Sequence, residues 1–252
     1  MHRFAIAPER IEGQRVTFDR EETRHLGRVL RLAPGDLVLA TDGHGHEYTV
    51  RIETLGPCAT GAVLDVIERP SESPLAVTLV QGIPKGDKME AIIRAATELG
   101  VTRIIPAITA RTVIVLQEGR WRERARRWQR VAREAAKQCA RAVIPEVGPP
   151  VPLPRALEAG AGVDLRICLW EGEHRPLGEV LQGTLAAPGS VAIAVGPEGG
   201  LTPDEVRHAR DLGWGIAGLG PRIMRAQTAS VVALAVIGAA FGDLVSPRGR
   251  VS

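Results

Sequence analysis

Rings and lysine are what this chain has least of: one Tyr, three Phe, four Trp and three Lys in 252 residues. With so few aromatics, the core has to be built from Ala, Val, Leu and Ile, a set that suits close-packed helices and strands. Cysteine is almost as sparse. Cys58, Cys139 and Cys168 are odd in number, far apart and in no CxxC pair, which argues against a disulfide framework and a zinc site alike and fits a reducing compartment. His44 and His46 flank Gly45 with no carboxylate or Cys spacing to complete a metal site, so they read as polar turn residues and no metal is expected. The longest apolar stretch, 231–241, is about half of the ~20 residues needed to span a bilayer, and Met1-His2-Arg3-Phe4 opens no signal peptide. A soluble, cytoplasmic protein is expected. No Walker lysine motif is present, so ATP use has no support. The pattern GxGxxG does occur at 213–218, but it follows a predicted helix and opens a strand, the reverse of the nucleotide fingerprint. It is a chance match and gives no support to a nicotinamide-dependent oxidoreductase.

Arginine is abundant, and its distribution is uneven. The net charge is +3, yet 120–141 alone carries +7, leaving the rest of the chain mildly acidic. Twenty-nine of the 32 cations are Arg, the residue suited to planar contacts with carboxylate or phosphate. Trp121, Ala125, Trp128, Ala132, Ala135 and Cys139 recur at helical spacing as a buried stripe. Nine cations are left on the remaining faces, opposed only by Glu123 and Glu134. A solvated face usually mixes its signs; here, binding of a polyanion is the favoured reading.

Two regimes follow one another along the chain. Segments 15–18, 36–41, 47–52 and 61–67 are rich in β-branched residues and bounded by Gly, Pro and Asp, which predicts a small β-barrel. Asp42-Gly43 marks a hairpin. One helix over 19–31 is expected to interrupt it, with Leu26, Val29 and Leu30 as its apolar stripe. The polar stretch 68–74 reads as a linker, placing a barrel domain at 1–70 and a second domain at 75–252. From there strands (76–81, 103–108, 165–170, 190–195, 215–219) alternate with helices (87–99, 120–141, 203–212, 227–241), the rhythm of a mostly parallel sheet covered by helices. Asp87 and Glu90 predict a capping box, and Thr202 with Pro203 a second helix start. The last helix is small-residued on every face, which suits close packing on another helix or on a second subunit.

Ligands of such sheets lie beyond the carboxyl ends of the strands, and two loops stand there. Gly196-Pro197-Glu198-Gly199-Gly200 has three glycines in five residues, letting backbone approach a ligand and offer its N–H groups. By itself the pattern is also that of a tight turn; its place after a strand favours a ligand. The loop 218–225 is stiffened by Gly220-Pro221 and carries Arg222 and Arg225 around Ile223 and Met224. It suits a ligand with an apolar part beside an anion or RNA, though solubility accounts for the Arg pair as well.

Together with Arg3-Phe4, His25-Leu26, Val29-Leu30-Arg31, Lys85-Gly86-Asp87-Lys88-Met89-Glu90, Thr97-Glu98-Leu99-Gly100-Val101, Glu134-Ala135 and Gln138-Cys139, these loops resemble the bacterial 16S ribosomal RNA uridine-N3 methyltransferases of the SPOUT superfamily. The resemblance covers nearly the whole chain. It implies a PUA-like RNA-binding barrel followed by an α/β domain with a C-terminal trefoil knot, a homodimer with the active site at the subunit interface, and 16S rRNA or the small ribosomal subunit as substrate. It implies S-adenosylmethionine bound in the knot among Leu169, Trp170, Glu171 and Gly172; Val195, Gly196, Pro197, Gly199 and Gly200; and Leu219, Gly220, Ile223 and Met224. Arg225 and Arg141 become catalytic candidates, favouring a deprotonated uracil by charge, with Glu198 as a positioning group or base. Arg3, Arg31, Lys85, Arg120, Arg124, Arg127 and Arg222 are the RNA-binding candidates. The chain departs from the family where Gln227 stands for a Glu and Ala142-Val143 for Asn-Arg. Another SPOUT activity, such as ribose methylation, and a non-catalytic RNA-binding or assembly factor are the alternatives.

Overall fold

The computed structural model describes residues 1–68, 71–113, 118–160, 162–173 and 175–245, so the linker expected at 68–74 lies partly outside the described residues. The chain divides into two compact units, Met1–Glu72 with Arg133–Ile144, and Ser73–Ala132 with Pro145–Ser252.

The first unit is a curled six-stranded sheet. Its strands are β1 (Arg3–Ala5), β2 (Ile11–Glu12), β3 (Arg15–Thr17), β4 (Leu37–Thr41), β5 (His46–Leu55) and β6 (Ala59–Glu68), in the order β1-β4-β5-β6-β3-β2. Pairing is antiparallel except between β1 and β4. Alternate residues turn inward, so Phe4, Val16, Val38, Ala40, Val50 and Ile52 join Phe18 and Leu26 in one core. Phe4 and Phe18 meet edge to face at 5.7 Å, and each ring contributes about 1.5–3 kcal/mol by leaving water. The helix expected over 19–31 is shorter and mixed: α1 (Arg20–Arg24), capped by Asp19, runs into a π-helical turn, His25–Val29. The wider turn breaks the 3.6-residue period. Leu26 remains buried, but Val29 is 66% exposed.

Asp42 closes the loop between β4 and β5 by accepting N–H bonds from His44 and His46. The strip after residue 140 joins this loop, with Ile144 N–H donating to Gly43 at 3.0 Å and Gly45 N–H to Ala142 at 3.2 Å. Ala142 and Val143 thus serve as backbone partners of the loop.

The second unit holds a parallel sheet built from β7 (Ala76–Gly82), β8 (Arg103–Ile108), β9 (Glu146–Val147), β10 (Val151–Pro152), β11 (Leu165–Leu169), β12 (Ser190–Val195) and β13 (Gly215–Ala217). The order is β10-β8-β7-β12-β11-β13, with β9 beside β8. Residues 191–195 are buried without alternation, as a strand covered on both faces requires. Its helices are α2 (Lys88–Glu98), α3 (Glu118–Gln138, of which Arg133–Gln138 belong to the first unit), α4 (Leu153–Ala159), α5 (Leu177–Gln182), α6 (Pro203–Asp211) and α7 (Ala226–Phe241). α7 packs on α2 and α5, and α4 packs on α6. The short elements β1, β2, β9, β10, α4 and α5 carry too few residues to show a period and have no counterpart in the sequence reading.

The two predicted helix starts differ. Thr202 and Glu205 form a complete capping box at α6. Asp87 makes no side-chain cap at α2: its backbone, at φ −91° and ψ 9°, is not extended, and its carbonyl rather than its carboxylate accepts the Glu90 N–H at 3.1 Å, while the Glu90 carboxylate is bonded to Arg127 Nε at 2.6 Å.

Candidate active site

Three strands end side by side, and the loops that leave them enclose a cavity of about 670 Å³. The loop after β11 contributes Leu169, Trp170, Glu171 and Glu173; the loop after β12 contributes Val195, Gly196, Pro197, Glu198, Gly199 and Gly200. The loop after β13 contributes Gly218, Leu219, Gly220, Pro221, Arg222, Ile223 and Met224, and the first turn of α7 adds Ala226 and Ala229. The size and largely apolar walls are those of a small-ligand site. All the residues expected at a cofactor are on this wall except Gly172, which lies against the Trp170 ring where a Cβ would come within 2.6 Å of the indole. Gly218 and Pro221 line the cavity as members of the 218–225 loop, whereas Glu173, Pro176, Ala226 and Ala229 carry no signal of a ligand in the sequence. Arg222, a candidate for RNA, also lines the cavity.

The glycine loop is held from outside. Gly200 has φ +70°, a conformation that favours glycine, and its N–H donates to Pro197 at 2.9 Å. Arg111, from the loop after β8, donates to the Gly199 carbonyl and lies 3.9 Å from the Glu171 carboxylate. The Ala110 N–H donates to Glu205 at 2.8 Å, so the capping box of α6 anchors the Arg111 turn.

Glu198 is fastened at its carboxylate. The Lys85 N–H donates to both oxygens at 3.2 Å, and Lys88 Nζ to one at 2.6 Å. Burial alone would raise its carboxyl, but the bonds from Lys88, from its own backbone N–H and from Lys85, with the Lys88 charge, hold it below the usual range. Such a group is a strong anchor and a weak base. Lys85 therefore takes part through its backbone while its side chain is exposed. Arg225 is exposed at the N-cap of α7, with no side-chain cap bond, and Gln227 is half-buried in the first turn.

Arg141 is placed differently. It is buried in the first unit, where Nε and Nη2 both donate to Glu72 Oε2, at 3.1 and 2.8 Å, and Glu72 Oε1 accepts the Val143 N–H. It is not on the cavity wall. Arg3 is paired with Glu47 at 2.9 Å, whereas Arg31 is exposed in a left-handed conformation, φ +55°.

On α3, Trp121, Ala125, Trp128, Ala132 and Ala135 are buried as the stripe predicts. Arg127 is tied to Glu90, and Arg124 stacks over Trp121 at 5.8 Å. Arg120, Arg122, Arg126 and Arg130 are exposed. Arg122, Arg126 and Arg130 are spaced i, i+4, i+8 and form one ridge, at intervals of about 6 Å along the axis.

Cys168 lies in the core, and burial pushes its thiol up to about 12, so it is chemically inert at neutral pH. No helix among the described residues is long and apolar enough to cross a membrane.

Residues 71–238 match the RNA methyltransferase domain family, and residues 18–57 the RNA methyltransferase PUA domain family. The chain is 36% identical over 240 residues to the ribosomal RNA small subunit methyltransferase E of Synechocystis, covering 94% of this chain and 77% of that one. It is 32% identical to the Bacillus subtilis protein of the same name, covering 86% and 87%. The crystal structure of a ribosomal RNA small subunit methyltransferase E from Neisseria gonorrhoeae, bound to S-adenosyl methionine, superimposes with a TM-score of 0.86 at 33% identity, covering 97% of this chain and 99% of that one.

Proposed function

Because the chain belongs to the ribosomal RNA small subunit methyltransferase E family, we propose that it transfers a methyl group from S-adenosylmethionine to N3 of a uridine in 16S ribosomal RNA. The observation that carries the reading is the cavity itself: apolar walls, two glycine loops, and the acidic residues Glu171, Glu173 and Glu198 among those that line it. Apolar surface, free backbone edges and acidic residues together suit a ligand that joins an aromatic base to a cationic chain. When bound, the cofactor supplies an electrophilic methyl group on sulfonium. Leu169, Trp170, Val195, Pro197, Leu219, Ile223 and Met224 offer apolar contact to its adenine, and the backbone of Gly196, Gly199, Gly200 and Gly220 offers N–H and C=O groups to its polar edges. Gly172 makes room for the Trp170 ring.

N3 of uracil lies in the pairing face, so the base has to be unpaired or flipped out before it is reached. It also has to lose its proton, which passes to water, before the N–C bond forms. Arg225 and Arg222 supply positive charge beside the cavity, which favours the deprotonated base without either guanidinium accepting the proton. Glu198, already committed to Lys88 and Lys85, positions the glycine loop and does not serve as the base. Arg141, committed to Glu72, holds the first unit together.

On the second unit the RNA backbone is met by the α3 ridge Arg122, Arg126 and Arg130, with Arg120 near its start; on the PUA-like unit the exposed Arg31 offers a contact of its own. Arg127 and Arg124 support α2 and Trp121. The reading includes a trefoil knot in the second unit, a cytoplasmic location and a homodimer, for which the small exposed or half-exposed residues Ala229, Ala235, Ala239 and Ala240 of α7 provide a close-packing face.

The test is to incubate the protein with methyl-labelled S-adenosylmethionine and 16S RNA or small subunits, then map the label. Label on uracil N3 is expected. Label on a ribose 2′-oxygen overturns the assignment, and failure to bind either S-adenosylmethionine or S-adenosylhomocysteine in calorimetry overturns the enzyme.

A further inference from the structure

Behind the glycine loop is a fully buried polar pair that the chemistry above does not use. Gln81, next to last in β7, stands in register with Val195, the last residue of β12 before Gly196. Its side chain and that of Ser230 in α7 are both completely buried. Gln81 Nε2 donates to the Gly82 carbonyl at 2.9 Å, and the Gly196 carbonyl lies 3.5 Å from the same nitrogen. Two carbonyls in front of one nitrogen determine which way the amide faces, because turning it over would set Oε1 against two acceptors. Oε1 therefore meets Ser230, whose hydroxyl donates at 2.6 Å. Ser230 has a single hydroxyl proton, and the Ala226 carbonyl is 2.9 Å away, so one proton is shared between Gln81 and the first turn of α7.

The residues at the ends of this chain of bonds belong to the cavity wall. Gly196 and Ala226 both line it, on walls separated by 30 residues of sequence. Packing closes the same gap: a Cβ on Gly82 would stand 2.6 Å from Pro197 Cδ and 2.7 Å from Pro197 N. The end of β7 thus touches the glycine loop directly. An apolar pair of the same volume would fill the space but would not orient the Gly196 carbonyl.

We propose that Gln81 and Ser230 are positioning residues for methyl transfer, a buried amide–hydroxyl strut that sets the Gly196–Gly200 loop against the first turn of α7 before the cofactor arrives. The inference rests on the reading of the cavity as the S-adenosylmethionine site. Glycine-rich backbone has the most freedom to lose, and a loop that must hold a reacting group in line gains from being ordered in advance.

The test uses the double variant Gln81→Met/Ser230→Ala, which removes donor and acceptor together and so avoids stranding a buried polar side chain. Three measurements are made on the full chain: thermal unfolding, the Kd for S-adenosylhomocysteine by calorimetry, and the single-turnover rate at saturating S-adenosylmethionine. The expected result is cooperative unfolding with a Kd about tenfold weaker and a rate at saturation lowered about tenfold or more, since displacements near 1 Å cost rate on that scale. A purely structural pair would move the unfolding temperature and leave the saturated rate alone. A folded double variant whose Kd and rate stay within about twofold of the parent overturns the proposal. Should the double variant not fold, Ser230→Ala alone decides by the same rate criterion, with Ser230→Thr, which keeps the hydroxyl, expected to restore the rate. Absence of S-adenosylhomocysteine binding by the parent protein would refute the cavity reading itself, an outcome separate from a parent that binds and a variant that matches it.

Discussion

Glu198 shows how neighbours decide what a residue can do. Its place in a glycine loop suits either a base or an anchor, and the Lys88 ammonium at 2.6 Å favours the anchor. Because the folded carboxyl lies below its ordinary value of 4.5, the stability it lends is present above that value and is lost only as pH falls through the lowered one. In a carboxyl-carbon NMR titration, Lys88→Met should move the Glu198 midpoint upward, toward or past 4.5. Arg141 presents the same lesson from the opposite side. An arginine in a family motif reads as catalytic, but this one sits with Glu72 at 4% and 5% side-chain exposure. Arg141→Met should cost about 3–5 kcal/mol in urea unfolding, the usual result of stranding one partner of a buried pair. Full stability with a collapsed methyl-transfer rate would return Arg141 to the chemistry.

At the scale of elements, α3 is where sequence and structure complement each other most closely. Its length, buried stripe and excess charge all follow from residue spacing. Which arginines face outward depends on what packs beside the helix: Glu90 of α2 takes Arg127, and the Trp121 ring takes Arg124. Replacing Arg122, Arg126 and Arg130 together by Gln should weaken RNA binding and lower the slope of log K against log salt by about 2 to 3, at roughly 0.7–0.9 per phosphate contact. Arg127→Gln should leave that slope nearly unchanged. The two capping motifs differ in local backbone geometry: Thr202 is extended and forms the box with Glu205 at α6, while Asp87 is not extended, and its carbonyl takes the Glu90 N–H as the Glu90 carboxylate pairs with Arg127.

Across the whole molecule, the candidate chemistry is concentrated at one end of the parallel sheet of the second unit, where three consecutive strand ends converge. A ligand held there should stabilise that unit by mass action, about 2.7 kcal/mol at a hundredfold excess over Kd. Hydrogen exchange with saturating S-adenosylhomocysteine should accordingly slow amides at 169–173, 195–200 and 218–226, leaving the sheet of the first unit unchanged. Protection appearing only in strands β1 to β6 would place the ligand elsewhere. The division of labour has a physical basis. Local periodicity and turn chemistry are written in short windows, so the alternation of strands and helices, the glycine loops and the basic helix were all legible in the chain by itself. The burial of Arg141 on Glu72 and the Gln81–Ser230 pair join residues through packing, across 149 positions in the last case. Such pairings depend on which partners the fold brings within bonding distance, and no spacing along a sequence contains that information. The tertiary structure alone decided which charged and polar groups are occupied with one another.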